Sequence, residues 1–156
     1  MKPYKHIQPK YAQEMFSAIE KASDKKTALK EWGSKPPMNF LLAMNFDNRI
    51  SFELPDGMPP YNRNEADSFE MYAPLASNIR RVLLLLKSNG TIKAFKKESI
   101  FIQILEGCCP AEADILVSAK DKSLHELYKW LTPTLVKEVF PDYVHEKSTW
   151  LDKSEQ

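Results

Sequence analysis

The stretch Ile50–Asn64, ISFELPDGMPPYNRN, cannot be helix, yet it sits inside a sequence that otherwise reads as helical. Ile50, Phe52 and Leu54 alternate with Ser51 and Glu53, the period-two pattern of an extended segment with one buried face. Pro55, Asp56-Gly57 and Pro59-Pro60 follow as three successive turn or stiffening signals. Long ordered connections carry binding residues because the scaffold around them holds them in place. Phe52, Leu54 and Tyr61 are therefore the candidate contact residues of this loop.

Outward from it, the period becomes helical. Pro9–Ala22 places Tyr11, Met15, Ala18, Ile19 and Ala22 on one face. Ser23 or Asp24 caps a short helix with Ala28, Leu29 and Trp32, and Gly33 closes it. Pro36-Pro37 opens a third, to about Asn45, whose Phe40 and Met44 lie opposite Met38, Leu41 and Leu42, so it is covered from two directions. After the loop, helix resumes near Pro74. Leu75, Ile79, Val82, Leu83 and Leu86 form its main face, Leu84 and Leu85 widen the stripe, and Asn89-Gly90 ends it, the pattern of a central helix. Thr91–Glu106 predicts one bent helix or two short ones. Pro110–Lys120, Leu124–Leu131 and a helix from Thr132-Pro133 to Phe140 complete the set. The expected fold is all-α: an irregular bundle of short helices in one domain (residues 1–144), crossed by one long, extended, proline-rich loop (46–73). A polar tail (145–156) carries Trp150-Leu151.

At 156 residues, with 43% hydrophobic and 28% charged side chains, the chain has the composition of one globular domain. It can bury roughly 70% of its unfolded surface. Its longest aliphatic run, Val82–Leu86, falls far short of the ~20 residues of a membrane span. MKPYKHIQPK lacks the apolar core of a signal peptide, which points to the cytosol. The adjacent pair Cys108-Cys109 has neither the geometry of an easy disulfide nor further zinc ligands, and predicts reduced thiols packed at a helix boundary.

The net charge of +1 conceals segregation: +4 over residues 1–30, −4 over 31–79, +6 over 80–97 and −5 over 98–156. The basic stripe (Arg80, Arg81, Lys87, Lys93, Lys96 and Lys97, with Phe95 among them) can neutralise several phosphates. The reading favoured over that is a solvated helix face (Lys93, Lys96 and Lys97) with Arg80 and Arg81 pairing with the acidic blocks, since no nucleic-acid motif accompanies the stripe.

Catalysis has weaker support. His6, His125 and His145 are scattered without ligand spacing, and His125-Glu126 lacks the second histidine of a zinc-protease helix. No Walker loop, dinucleotide fingerprint or nucleophile elbow is present. Asp47, Glu53 and Asp56 offer carboxylates that could converge for metal or acid–base work, but Asp56 is better explained by the turn and Glu53 by the solvent face of its strand. The sequence calls for no catalytic set, no metal and no cofactor.

Several longer stretches carry a resemblance: Phe46-Asp47, FELPDGMPPYNRN, the arginine-leucine helix Arg80–Leu86, ESIFIQILEG (Glu98–Gly107) and Pro110–Pro141. Over Phe46–Tyr143 the chain resembles an uncharacterised family of small proteins from T-even-type tailed phages and marine cyanophages. It departs at Ser88-Asn89-Gly90, where such proteins carry a Gly-Gly pair. The resemblance implies a phage origin and expression in the host cytoplasm, and supplies no activity.

Three functions are therefore expected, in this order. The first is a non-enzymatic protein binding a host or phage protein through Phe52, Leu54, Tyr61 and Trp150. The second is a nucleic-acid-binding accessory factor of replication or transcription using Arg80, Arg81, Lys93, Lys96 and Lys97. The third is a virion component.

Overall fold

The structure, a computed structural model, describes residues 11–64 and 72–143. Among them the chain is all-α, with eight short helices and a single 3-10 turn. In α1 (Ala12–Lys21), the spacing of Ala12, Met15, Phe16 and Ile19 buries one stripe, and Glu14 accepts a hydrogen bond from the Tyr11 N–H at 3.0 Å. Asp24 starts α2 (Lys25–Gly33), accepting from the N–H and hydroxyl of Thr27 at 3.3 and 2.6 Å. Gly33 ends it against Phe140: a Cβ there would lie 2.7 Å from the Phe140 ring.

Helix α3 (Met38–Phe46) buries Met38, Leu41, Leu42, Met44 and Phe46, and packs between α2 and the helix Pro110–Lys120. Its two-sided apolar pattern has the expected cause. Helix α6 (Pro110–Lys120) starts on Pro110 and buries Ala113, Ile115, Leu116 and Val117 against α1 and α3. One turn, α7 (Leu124–Leu127), follows, then α8 (Pro133–Val139), capped by Thr132, whose hydroxyl oxygen accepts from the Leu135 N–H at 3.1 Å. The expected helix through Leu131 stops early. Tyr128 instead stacks on Phe16 with ring centroids 4.3 Å apart, and the Trp130 indole N–H donates to Glu20 Oε1 at 2.8 Å.

The leucine-rich helix departs most from expectation. A 3-10 turn (Leu75–Asn78) leads into α4 (Ile79–Leu83), which ends five residues later; Leu83 and Leu84 face solvent and Leu85 is buried. The backbone leaves the helix here to meet the extended segment. Phe52 and Leu86 form an isolated antiparallel bridge, with Glu53 N–H donating to Leu85 O at 3.0 Å and Lys87 N–H to Ser51 O at 2.9 Å. A run of five aliphatic residues has no period of its own, so tertiary pairing decides its conformation. Residues 94–107 then form one continuous helix, α5 (Ala94–Gly107), with Lys97, Phe101, Ile104 and Leu105 on the buried face.

Candidate interaction surface

The long loop is strapped down along its length. Glu53 accepts from Lys97 at one end. Lys120 Nζ then donates to Pro55 O at 2.7 Å and Gly57 O at 2.9 Å, while Asp121 accepts from the Gly57 N–H at 3.0 Å. Gly57 has φ 85°, which a side chain would strain. Farther on, Glu106 accepts from Asn62 N–H at 3.0 Å, and Arg63 pairs with Asp114 at 3.0 Å. The loop thus runs from the C-terminal end of α6 back toward its first turns, and side chains of α5 and α6 satisfy its backbone. Phe52, Leu54 and Tyr61 are half-buried and pack on the hydrophobic core. Burial holds the Tyr61 hydroxyl above the ordinary tyrosine range. Of the three, Phe52 and Leu54 reach a surface groove; Tyr61 is set among core-covering contacts. Trp150 lies outside the described residues.

That groove, about 460 Å³, runs between Phe52–Pro55 and the first turn of α5. Phe52, Leu54, Ala94 and Phe95 supply its apolar surface, and Lys87, Glu53 and Glu98 its charges. Phe95 is 69% exposed, the most exposed large apolar side chain among the described residues. A helical wheel explains this: Phe95, Ser99, Ile102 and Glu106 form the face of α5 opposite Lys97, Phe101 and Ile104. Isolated exposed apolar residues are ordinary, but an aromatic beside a second aromatic in an open groove is the pattern of a contact site.

The basic stripe is divided by the fold. Lys97 is 0% exposed, and its ammonium donates to Glu53 Oε1 at 2.7 Å, Leu86 O at 2.8 Å and Asn89 O at 2.6 Å. All three of its N–H bonds are used, which corrects the expectation that Lys97 meets a phosphate. Arg81 is half-buried and donates to Gln103 Oε1 at 2.9 Å. Lys87, Lys93 and Lys96 are exposed around the first turn of α5, whereas Arg80, also exposed, lines a different groove.

Sequence reasoning missed the most consequential polar residue. Glu112 is 0% exposed, and its two carboxylate oxygens accept from the N–H of Ala12 and the N–H of Leu75, each at 2.8 Å. One side chain of α6 thereby holds the start of α1 and the chain's return from the loop. Burial raises its pKa, the two N–H donors act in the opposite sense, and the charge of Glu14 adds to the rise. In sequence, an acid in the first turn of a helix reads only as favourable for the helix dipole. Lys97 did leave a signal, since it stands four residues before Phe101 and seven before Ile104.

Cys108 and Cys109 are free and buried beside Glu112. Burial first, then the charge of Glu112, pushes the Cys108 thiol up to about 12, and burial raises Cys109 as well. The described residues hold no group of three His, Cys, Asp or Glu side chains able to bind a metal ion. No described helix is long and apolar enough to cross a membrane.

A family model covers this same set of elements, from α1 into α7. It describes a family of unknown function, DUF6433, and matches residues 13–126, well over half of the chain. The chain belongs to DUF6433. The groove, Lys97 and Glu112 all fall inside the matched part, whereas α8 lies beyond it. No curated protein and no solved structure matches the chain.

Proposed function

We propose that this DUF6433 protein is a non-enzymatic, phage-encoded interaction protein that binds a host or phage protein in the cytoplasm of the infected cell. The phage setting comes from the sequence resemblance over Phe46–Tyr143. The observation that carries the interaction reading is Phe95, 69% exposed, sharing an open groove with Phe52 and Leu54. The strapped loop holds Phe52 and Leu54 in place before binding, so little conformational entropy is lost on contact. Lys87 and Glu98 add a charged rim that fixes the orientation of a partner. A tagged pull-down from infected cells, split into nuclease-treated and untreated halves, tests this. A stoichiometric protein that survives nuclease and is lost with Phe95→Ala supports the reading; capture indifferent to Phe95 refutes it.

A second reading has its own observation. Lys87 lines the same groove, Lys93 and Lys96 are exposed on either side of Phe95 in the chain, and Phe95 offers a ring on which a base can stack. A nucleic-acid-binding accessory factor of this kind loses affinity steeply between ~50 and ~200 mM salt. Absence of single-strand binding at the lower salt eliminates it.

A further inference from the structure

Phe52 and Leu86 face each other where the loop meets the leucine turn, and the bonds of that contact run through their neighbours, Glu53 N–H to Leu85 O and Lys87 N–H to Ser51 O. In an antiparallel pair this pattern turns the N–H and C=O of the two facing residues outward, away from each other. At Leu86 both outward groups are used: the N–H donates to Leu83 O at 3.3 Å, and the C=O accepts from Lys97 Nζ at 2.8 Å. At Phe52 neither is. No hydrogen bond among the described residues engages its N–H or its C=O, and the same holds for Leu54. We infer that this open edge receives an extended peptide segment of the partner, which adds as a strand beside Phe52 and sets alternate apolar side chains against Phe52, Leu54 and Phe95. The inference rests on the interaction reading above and names the form in which the partner arrives.

The open pair of backbone groups decides the occupant. The N–H and C=O of Phe52 match the C=O and N–H of one residue of an antiparallel strand. A helix uses those groups internally, and a phosphate accepts but donates nothing. The place also fits, because Phe52–Pro55 form one wall of the groove that Phe95 lines, so a strand along Phe52 carries side chains into it. Its period of two then calls for large apolar residues at alternate positions of the partner. Finally, the edge is held extended before contact: Lys97 fixes Glu53 and Leu86 O on one side, and Lys120 fixes Pro55 O beyond Leu54. Pre-ordering of this kind reduces the entropy lost on binding. Proline is excluded at the residue opposite Phe52, which must supply an N–H.

The probe is a displayed library of random dodecapeptides selected on the full chain. Selected peptides should show alternating large apolar residues. They should bind about tenfold more weakly after Phe52→phenyllactic acid, an ester substitution that deletes the N–H and keeps the ring. Methylating the peptide nitrogens one at a time should abolish binding at the residue paired with Phe52 and spare its two neighbours. That scan uses the unaltered protein, so it decides the matter if the ester variant fails to fold. In amide exchange, the Phe52 N–H should be fast in the free chain and protected once peptide is bound, with the Glu53 N–H protected in both. Slow exchange at Phe52 in the free chain shows the edge already covered and overturns the inference. So does a selection that yields no peptide or only helical spacing, a methyl scan without alternation, or a dimer abolished by the ester, in which a second copy fills the edge. Binding that needs Phe95 but ignores loss of the Phe52 N–H refutes strand addition and leaves the Phe95 contact standing. Capture that ignores Phe95→Ala refutes the reading beneath it.

Discussion

Lys96 and Lys97 are neighbours on α5 with opposite environments, and they mark two regions of the molecule. On Lys97's side, charged groups are inside: its ammonium and the Glu112 carboxylate together tie down the extended segment, the leucine turn and the start of α1. On the side of Lys96 and Phe95, the cations are in water and an aromatic ring is exposed. Here polar side chains do architectural work, and an apolar one is the best candidate for function. Charge in the sequence is thus a poor guide to which side chains of this molecule stand in water.

The hardest way to break the comparison is Glu112→Ala. It leaves two buried N–H groups without acceptors and should cost about 3 kcal/mol, read as a lower urea midpoint at unchanged slope. An effect below about 1 kcal/mol would mean that water replaces the carboxylate. Glu112→Gln sharpens the point through pH. Burial raises the folded-state pKa above its ordinary 4.5, so the native protein binds this proton more tightly than the unfolded chain. The contribution of Glu112 to stability is therefore greater at pH 4.5 than at pH 7, and falls as pH rises through the folded-state pKa. Gln should flatten that part of the stability–pH curve.

Lys97→Met is next, at about 2 kcal/mol. Its partner Glu53 is partly exposed and can rehydrate, which keeps the cost at the low end; two backbone carbonyls lose their donor. Lys96→Met, one residue earlier, should stay within about 0.5 kcal/mol. Equal effects of the two lysine substitutions would abolish the distinction drawn here. Phe95→Ala should likewise leave the thermal midpoint nearly unchanged while weakening partner capture about tenfold or more. Tyr61→Ala should lower both, because Tyr61 packs on the core. Smallest of all is the expected reaction of Cys108 and Cys109 with a thiol reagent at pH 8: essentially none in the folded protein, and two equivalents after denaturation.

Most of the fold was legible because its elements announce themselves locally. Asp24, Pro110 and Thr132 stand at helix starts, and α3's apolar residues on two faces anticipate its two packing partners. The extended character of Phe52 and Leu54 was equally plain, since proline, turn signals and alternation act within a few residues. What they pair with was not. Leu83–Leu86 satisfies a helical stripe as well as it does a turn, and only the hydrogen bonds to Ser51 and Glu53 choose between them.

The sequence by itself determined the helical class, the placement of most helix starts and the extended, non-helical character of residues 52–64, because caps, prolines and periodicity are short-range properties of the backbone. Tertiary structure alone decided that Lys97 and Glu112 are buried connectors, that Leu83 and Leu84 face water, and that Phe95 shares a groove with Phe52. Those outcomes depend on which distant acceptors and apolar surfaces arrive at a side chain, and residue type does not encode that.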